Sequence, residues 1–225
     1  MSLAPAPVRR RDVKRFTDYC VTLRVFWATQ QALFAASDLQ RDLLQATAHK
    51  FFFDTNEMMR DHLILQICKL TDSATTKKHK DIYSNLTTKY LFENADFSKH
   101  PREHATLTRI MKRIDAFRAR IVPARNKLIG HLDLEAVHAR RAQGRASMRA
   151  WQQFWIDLEE FVSIMYVRYV DKRASFSLTG VGHISDVDQL VKALQESTYF
   201  RAALKDRALT QRLVTIAESS KYHAI

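Results

Sequence analysis

Apolar side chains return every three or four positions through most of this chain, a rhythm that suits helices and little else. Phe16, Tyr19, Cys20, Leu23, Phe26, Trp27, Leu33 and Phe34 predict a long amphipathic helix over about residues 9–36, with Ser37 and Asp38 placed to cap the next piece. That piece, a helix or a continuation, runs to about His49. Phe52, Met59, Leu63, Ile67 and Leu70 hold the period as far as Thr71. There Thr71-Asp72-Ser73 and Lys77-Lys78-His79-Lys80 predict a polar loop, and a short helix is expected from Ile82 to Phe92. Four Gly and four Pro in 225 residues are too few to turn the corners of an all-β protein, so the expected class is all-α.

Pro101 suits the first turn of a further helix with Leu107, Ile110, Ile114, Phe117 and Ile121 along its buried seam. Pro123 lacks an N–H and clashes with the preceding turn, so it kinks or stops that helix. A basic loop carrying Arg140, Arg141, Arg145 and Arg149 precedes a strongly amphipathic helix running from Trp151 through Phe154, Trp155, Leu158, Phe161, Val162 and Met165 to Tyr169. Beyond a linker with Gly180 and Gly182, Val187 to Leu194 and Leu209 to Ile216 predict two short helices. The expected division is a helical body over residues 1–172 and a small C-terminal appendage over 183–225.

The formal charge of +12 favours a polyanionic partner, either nucleic acid or an acidic protein. Cys20 and Cys68 sit within apolar helical patterns and read as buried hydrophobes of a reducing compartment, neither a disulfide framework nor a zinc site. The first residues, Met-Ser-Leu-Ala-Pro-Ala-Pro, lack a charged start followed by an apolar stretch, and no apolar run approaches a membrane span. The expectation is a cytoplasmic protein without a membrane partner.

One heptad concentrates the chemistry: Arg125-Asn126-Lys127-Leu128-Ile129-Gly130-His131. Arginine offers a permanent forked cation for phosphate, and histidine titrates near neutrality. With 22 Arg and 9 His, that six-residue separation arises by chance about 0.9 times; Asn directly after the Arg lowers this to about 0.02. On a straight helix Arg125 lies within roughly 60° of Leu128, Ile129 and Leu132, so its guanidinium faces a packed side and needs a carboxylate, a phosphate or a partner surface. An ion pair to Asp133, Glu135 or a more distant carboxylate is one solution. His131 lies about 120° away in the same geometry. Release of phase at Gly130 would bring it round, and so would two copies of the heptad meeting across a dimer.

Arg125-Asn126, four further residues and His131 resemble the signature of the HEPN superfamily (higher eukaryotes and prokaryotes nucleotide-binding domains), small helical bundles of which many are metal-independent endoribonucleases. The stretch Ala124 to Asp133, together with Leu63 to Asp72 ending in Lys69-Leu70-Thr71-Asp72, is similar to the AbiU-type branch of bacterial abortive infection and toxin systems. Gly130 stands where that branch commonly has alanine. The resemblance spans about residues 10–172 and implies an antiparallel helical bundle of HEPN type. It also implies a homodimer that shares one RNA cleft, without a metal or other cofactor. It makes His131 the general acid or base at the ribose 2′-hydroxyl or the leaving 5′-oxygen, with Arg125 stabilising the phosphorane. Asn126 would orient the histidine or bind phosphate, while Lys127, Arg118 and Arg120 would hold the RNA backbone. A toxin or phage-defence role with a cognate antitoxin goes with this branch. The alternative is a catalytically silent module of the same superfamily that binds RNA, nucleotide or a partner protein.

His100-Pro-Arg-Glu103-His104 matches the spacing H-x-x-E-H of an inverted zinc-peptidase site, but Pro101 puts His100 at a helix boundary and no third ligand follows; a cap with surface histidines is the better account. Trp151 and Trp155 lie near arginines as base-stacking residues do, yet their register with Phe154 and Leu158 points to core packing.

Overall fold

A computed structural model of the chain describes residues 7–79, 81–129, 146–174, 177–178, 184–205 and 211–212. It is all-helical apart from one small hairpin. In chain order the elements are α1 (Arg10–Phe34), α2 (Asp38–Leu70), β1 (Thr75–Lys78), β2 (Asp81–Ser84), α3 (Thr88–Asn94), α4 (Pro101–Ala124), a π-helical turn (Arg125–Ile129), α5 (Met148–Tyr169) and α6 (Ile184–Lys205). Two compact units result: Met1–Trp27 with Met58–Val181, and Ala28–Glu57 with Gly182–Ile225.

In the first unit the helices run antiparallel, as the descending residue numbers of successive pairs require. Along α4 and α5, Glu103 meets Arg168, Arg113 meets Asp157, and Phe117 stacks on Phe154 at 4.6 Å between ring centres. Along α1 and α5, Phe16 meets Phe161 and Trp27 meets Trp155. Between α1 and α2, Tyr19 donates to Gln66 and Phe26 packs on His62. The residues the 3,4 period selects, among them Phe16, Leu23, Ile67, Ile114, Phe154 and Leu158, form the buried core. Trp155 is buried and Trp151 half-buried against Phe117, the core role expected of them. Cys20 and Cys68 are buried free thiols.

In the second unit the Ser37 hydroxyl accepts the Gln40 N–H (3.1 Å), the cap anticipated at that position, and the Gln40 amide donates back to the Ala32 and Leu33 carbonyls. Helix α2 bends at Ala48, whose φ of −158° and ψ of 70° are not helical, close to the expected break at His49. Leu33, Leu44, Phe52 and Val187 make the apolar centre of this unit. The first of the two expected terminal helices is present as α6, extending to Lys205; Leu209, Leu213, Val214 and Ile216 lie outside the described residues.

Two expectations are corrected. Residues 75–84, anticipated as a polar loop running into a helix from Ile82, form an antiparallel hairpin with Thr76 opposite Tyr83 and Lys77 opposite Ile82. β-Branched and aromatic residues favour pleated backbone, and His79 adopts φ 55° at the turn, a conformation two-residue hairpin loops require. The following helix starts only at Thr88, where the Thr87 hydroxyl accepts the Tyr90 N–H. Near Pro123, where a kink or stop was expected, α4 runs one residue further to Ala124 and a π-helical turn starts at Arg125; Pro123 cannot donate to the carbonyl four residues back.

No helix among the described residues is long and apolar enough to cross a membrane.

Candidate nucleic-acid site

The π-helical turn opens at Arg125, whose backbone N–H is shared between the Ile121 and Val122 carbonyls. A π turn holds more residues per turn than an α turn, so the angles taken from a straight helix do not carry over to residues 125–129. Ile129 still packs against the core, and the Arg125 side chain is half-buried beside it in sequence. The Arg125 guanidinium donates to the Asn126 side-chain oxygen at 3.1 Å, which ties the two leading heptad residues together. Asn126 itself is exposed. Lys127 belongs to the same turn, whereas Gly130, His131, Asp133 and Glu135 lie outside the described residues, as do Arg140, Arg141 and Arg145.

A second segment lies within electrostatic reach of this turn. At the end of α2, Thr71 is buried with its hydroxyl donating to the Ile67 carbonyl, and the adjoining Asp72 carboxylate accepts from Arg118 on α4 (3.0 Å) and from the Ser73 N–H (2.9 Å). Cys68, one turn earlier on α2, feels both Arg118 and Arg125: burial pushes its thiol up, while the two guanidiniums pull it down and Asp72 opposes them. Cys68, Asp72, Arg118 and Arg125 therefore share one electrostatic neighbourhood. It unites the Lys69-Leu70-Thr71-Asp72 segment with the heptad, two stretches linked in the sequence by resemblance alone.

Arg118 and Arg120 part company here. Two residues apart on an α-helix, they point roughly 200° from each other. Arg118 is only 24% exposed and neutralised by Asp72. Arg120 lines a different cleft of about 600 Å³ together with Arg113, Ser147, Arg149 and Gln153. Within that cleft Arg113 is committed to the buried Asp157 at 2.8 Å, and that hydrogen bond raises its pKa.

The histidines of the H-x-x-E-H segment are occupied otherwise. His100 precedes the first turn of α4 and pairs with Glu103 at 3.2 Å, while His104 stacks on Phe92. Among the described residues no three His, Cys, Asp or Glu side chains gather as metal ligands do.

The described residues thus form a helical bundle in which Arg125 and Asn126 open the turn that follows α4. A family model described as HEPN_AbiU2 (AbiU2) matches residues 10–190, and the chain belongs to this family. No curated protein and no solved structure matches it.

Proposed function

We propose that this protein is a metal-independent endoribonuclease of HEPN type, working in the cytoplasm as a toxin or phage-defence effector, with a homodimer bringing two heptads to one RNA cleft. The observation that carries this is the contrast between two neighbouring arginines. Arg118 is ion-paired with Asp72, whereas Arg125, half-buried, has no carboxylate partner among the described residues. A guanidinium taken partly out of water calls for an anion, and where no described carboxylate supplies one a phosphodiester suits the place. Its forked donors suit the equatorial oxygens of a phosphorane.

In the proposed reaction His131 accepts the proton of the ribose 2′-hydroxyl. The 2′-oxygen attacks phosphorus, the bond to the 5′-oxygen breaks, and that oxygen leaves protonated by the partner's heptad or by water. A 2′,3′-cyclic phosphate and a free 5′-hydroxyl result, so DNA is not a substrate. Asn126, bonded to Arg125, orients the site, and Lys127 and Arg120 supply positive charge for the flanking backbone.

The decisive experiment incubates wild type, Arg125→Ala and His131→Ala with total RNA in excess chelator. Wild type is expected to cut, and each variant to lose about a hundredfold or more of the rate with unchanged melting. Full activity in His131→Ala removes the mechanism, and uncut RNA with all three proteins leaves a silent binding module.

A further inference from the structure

The hairpin β1–β2 is built unlike the rest of the chain. Every described strand residue is exposed on both faces, including Ile82 and Tyr83, and an isolated two-stranded hairpin in water is marginal at best. Its order comes from its base. The Asn85 side chain donates to the Ser73 carbonyl (3.0 Å) and the Thr76 hydroxyl (2.7 Å), and the Asn85 N–H donates to the Ala74 carbonyl (2.8 Å). Ser73 in turn donates to Asp72, the counter-ion of Arg118, and Arg118 and Arg125 both act on the Cys68 thiol. A bonded path thus runs from Arg118 into a ribbon with no core of its own.

Its chemistry suits one occupant. Alternation across the strands sets Lys78 on the face that carries Thr76 and Tyr83, and Lys77 on the opposite face beside Ile82. Residues 75–84 contain three lysines and one histidine against the single acidic Asp81. Exposed ammonium groups interleaved with an exposed aromatic ring form the combination that grips single-stranded nucleic acid: charge tracks the phosphates and the ring stacks a base. We infer that the hairpin Thr75–Ser84 is a single-stranded RNA-gripping arm of the adjacent arginine site, with Lys77 and Lys78 on phosphates and Tyr83 stacked on a base. This rests on RNA being the ligand of that site.

The test uses the full chain with His131→Ala throughout, so that bound RNA stays whole while Arg125 keeps its phosphate contact, and reads anisotropy of a labelled single-stranded RNA of mixed sequence over a salt series. Adding Lys77→Ala and Lys78→Ala is expected to weaken binding about tenfold or more and to flatten the slope of log affinity against log salt by about 1.4, two contacts at about 0.7 each. Tyr83→Ala should weaken binding with the slope kept, Tyr83→Phe should restore it, and Tyr83→Val, which favours the strand but has no ring, should stay weak, a split that a merely structural role would not produce. Equal affinity and slope for the lysine variant overturn the arm while leaving RNA as the ligand of the arginine site. An acidic protein is the partner instead if that same variant keeps its RNA affinity and loses binding to polyglutamate. No RNA binding by the His131→Ala parent sinks the arm and the RNA reading together.

Discussion

Two arginines on α4 show how burial and pairing separate structure from chemistry at the scale of single residues. Arg113 serves Asp157, which is 1% exposed and also accepts from Gln153. Arg113→Met leaves that carboxylate buried with one weak donor, and we expect a loss of about 3 kcal/mol in urea unfolding; a change under about 1 kcal/mol would mean that water reaches Asp157. Arg118 pairs with the more open Asp72, so Asp72→Ala should cost only about 1 kcal/mol after screening. Its second effect is chemical. With Asp72 gone, Arg118 and Arg125 act on Cys68 unopposed, and the onset of thiol alkylation should move to lower pH, measurable as iodoacetamide rate against pH. Arg125, Asn126 and His131 stood out in the sequence because their order is improbable by chance. Asp72 was marked there only as the end of a segment resembling the family, and its pairing with Arg118 was not legible until that partner on another helix was seen.

Pro123 decides the local geometry at the scale of elements, because it forbids one hydrogen bond and hands Arg125 to a π turn. Pro123→Ala restores the donor. Helicity by circular dichroism and the melting temperature should rise, while RNA cleavage falls as Arg125 and Asn126 rotate into α phase; a variant that is both stabilised and fully active would show that the widened turn has no part in catalysis. The long helices were legible in the sequence, since a 3,4 apolar period survives whatever the tertiary packing does, whereas the start of α3 and its Thr87 cap were not. Ser37 and Pro101 sit where their backbone chemistry predicts. The hairpin was not legible for the complementary reason. It buries neither face, so no alternation of apolar and polar residues marks it, and Lys77-Lys78-His79 resembles any solvated loop. The π turn was equally hidden, because proline announces a break without saying what replaces the helix.

For the molecule as a whole, two buried thiols set an alkaline limit. Burial holds Cys20 protonated well above its ordinary value of 9.0. An unfolded thiol ionises near that value and the folded one does not, so the stabilisation is complete below about pH 9 and is lost as pH rises beyond it. Cys20→Ala should lower the melting temperature at pH 7.5 by loss of packing, yet show a smaller further drop at pH 10 than wild type; parallel drops would assign the alkaline limit to other groups. The positions of the tryptophans have an optical consequence. The chain has three, Trp27, Trp151 and Trp155, and all belong to the first compact unit, with the Arg24 guanidinium lying over the rings of Trp27 and Trp155. Their emission therefore reports on one unit and is blind to the other. A melt followed simultaneously by fluorescence and by ellipticity would reveal whether the two come apart in concert or one after the other, with no dye and no label.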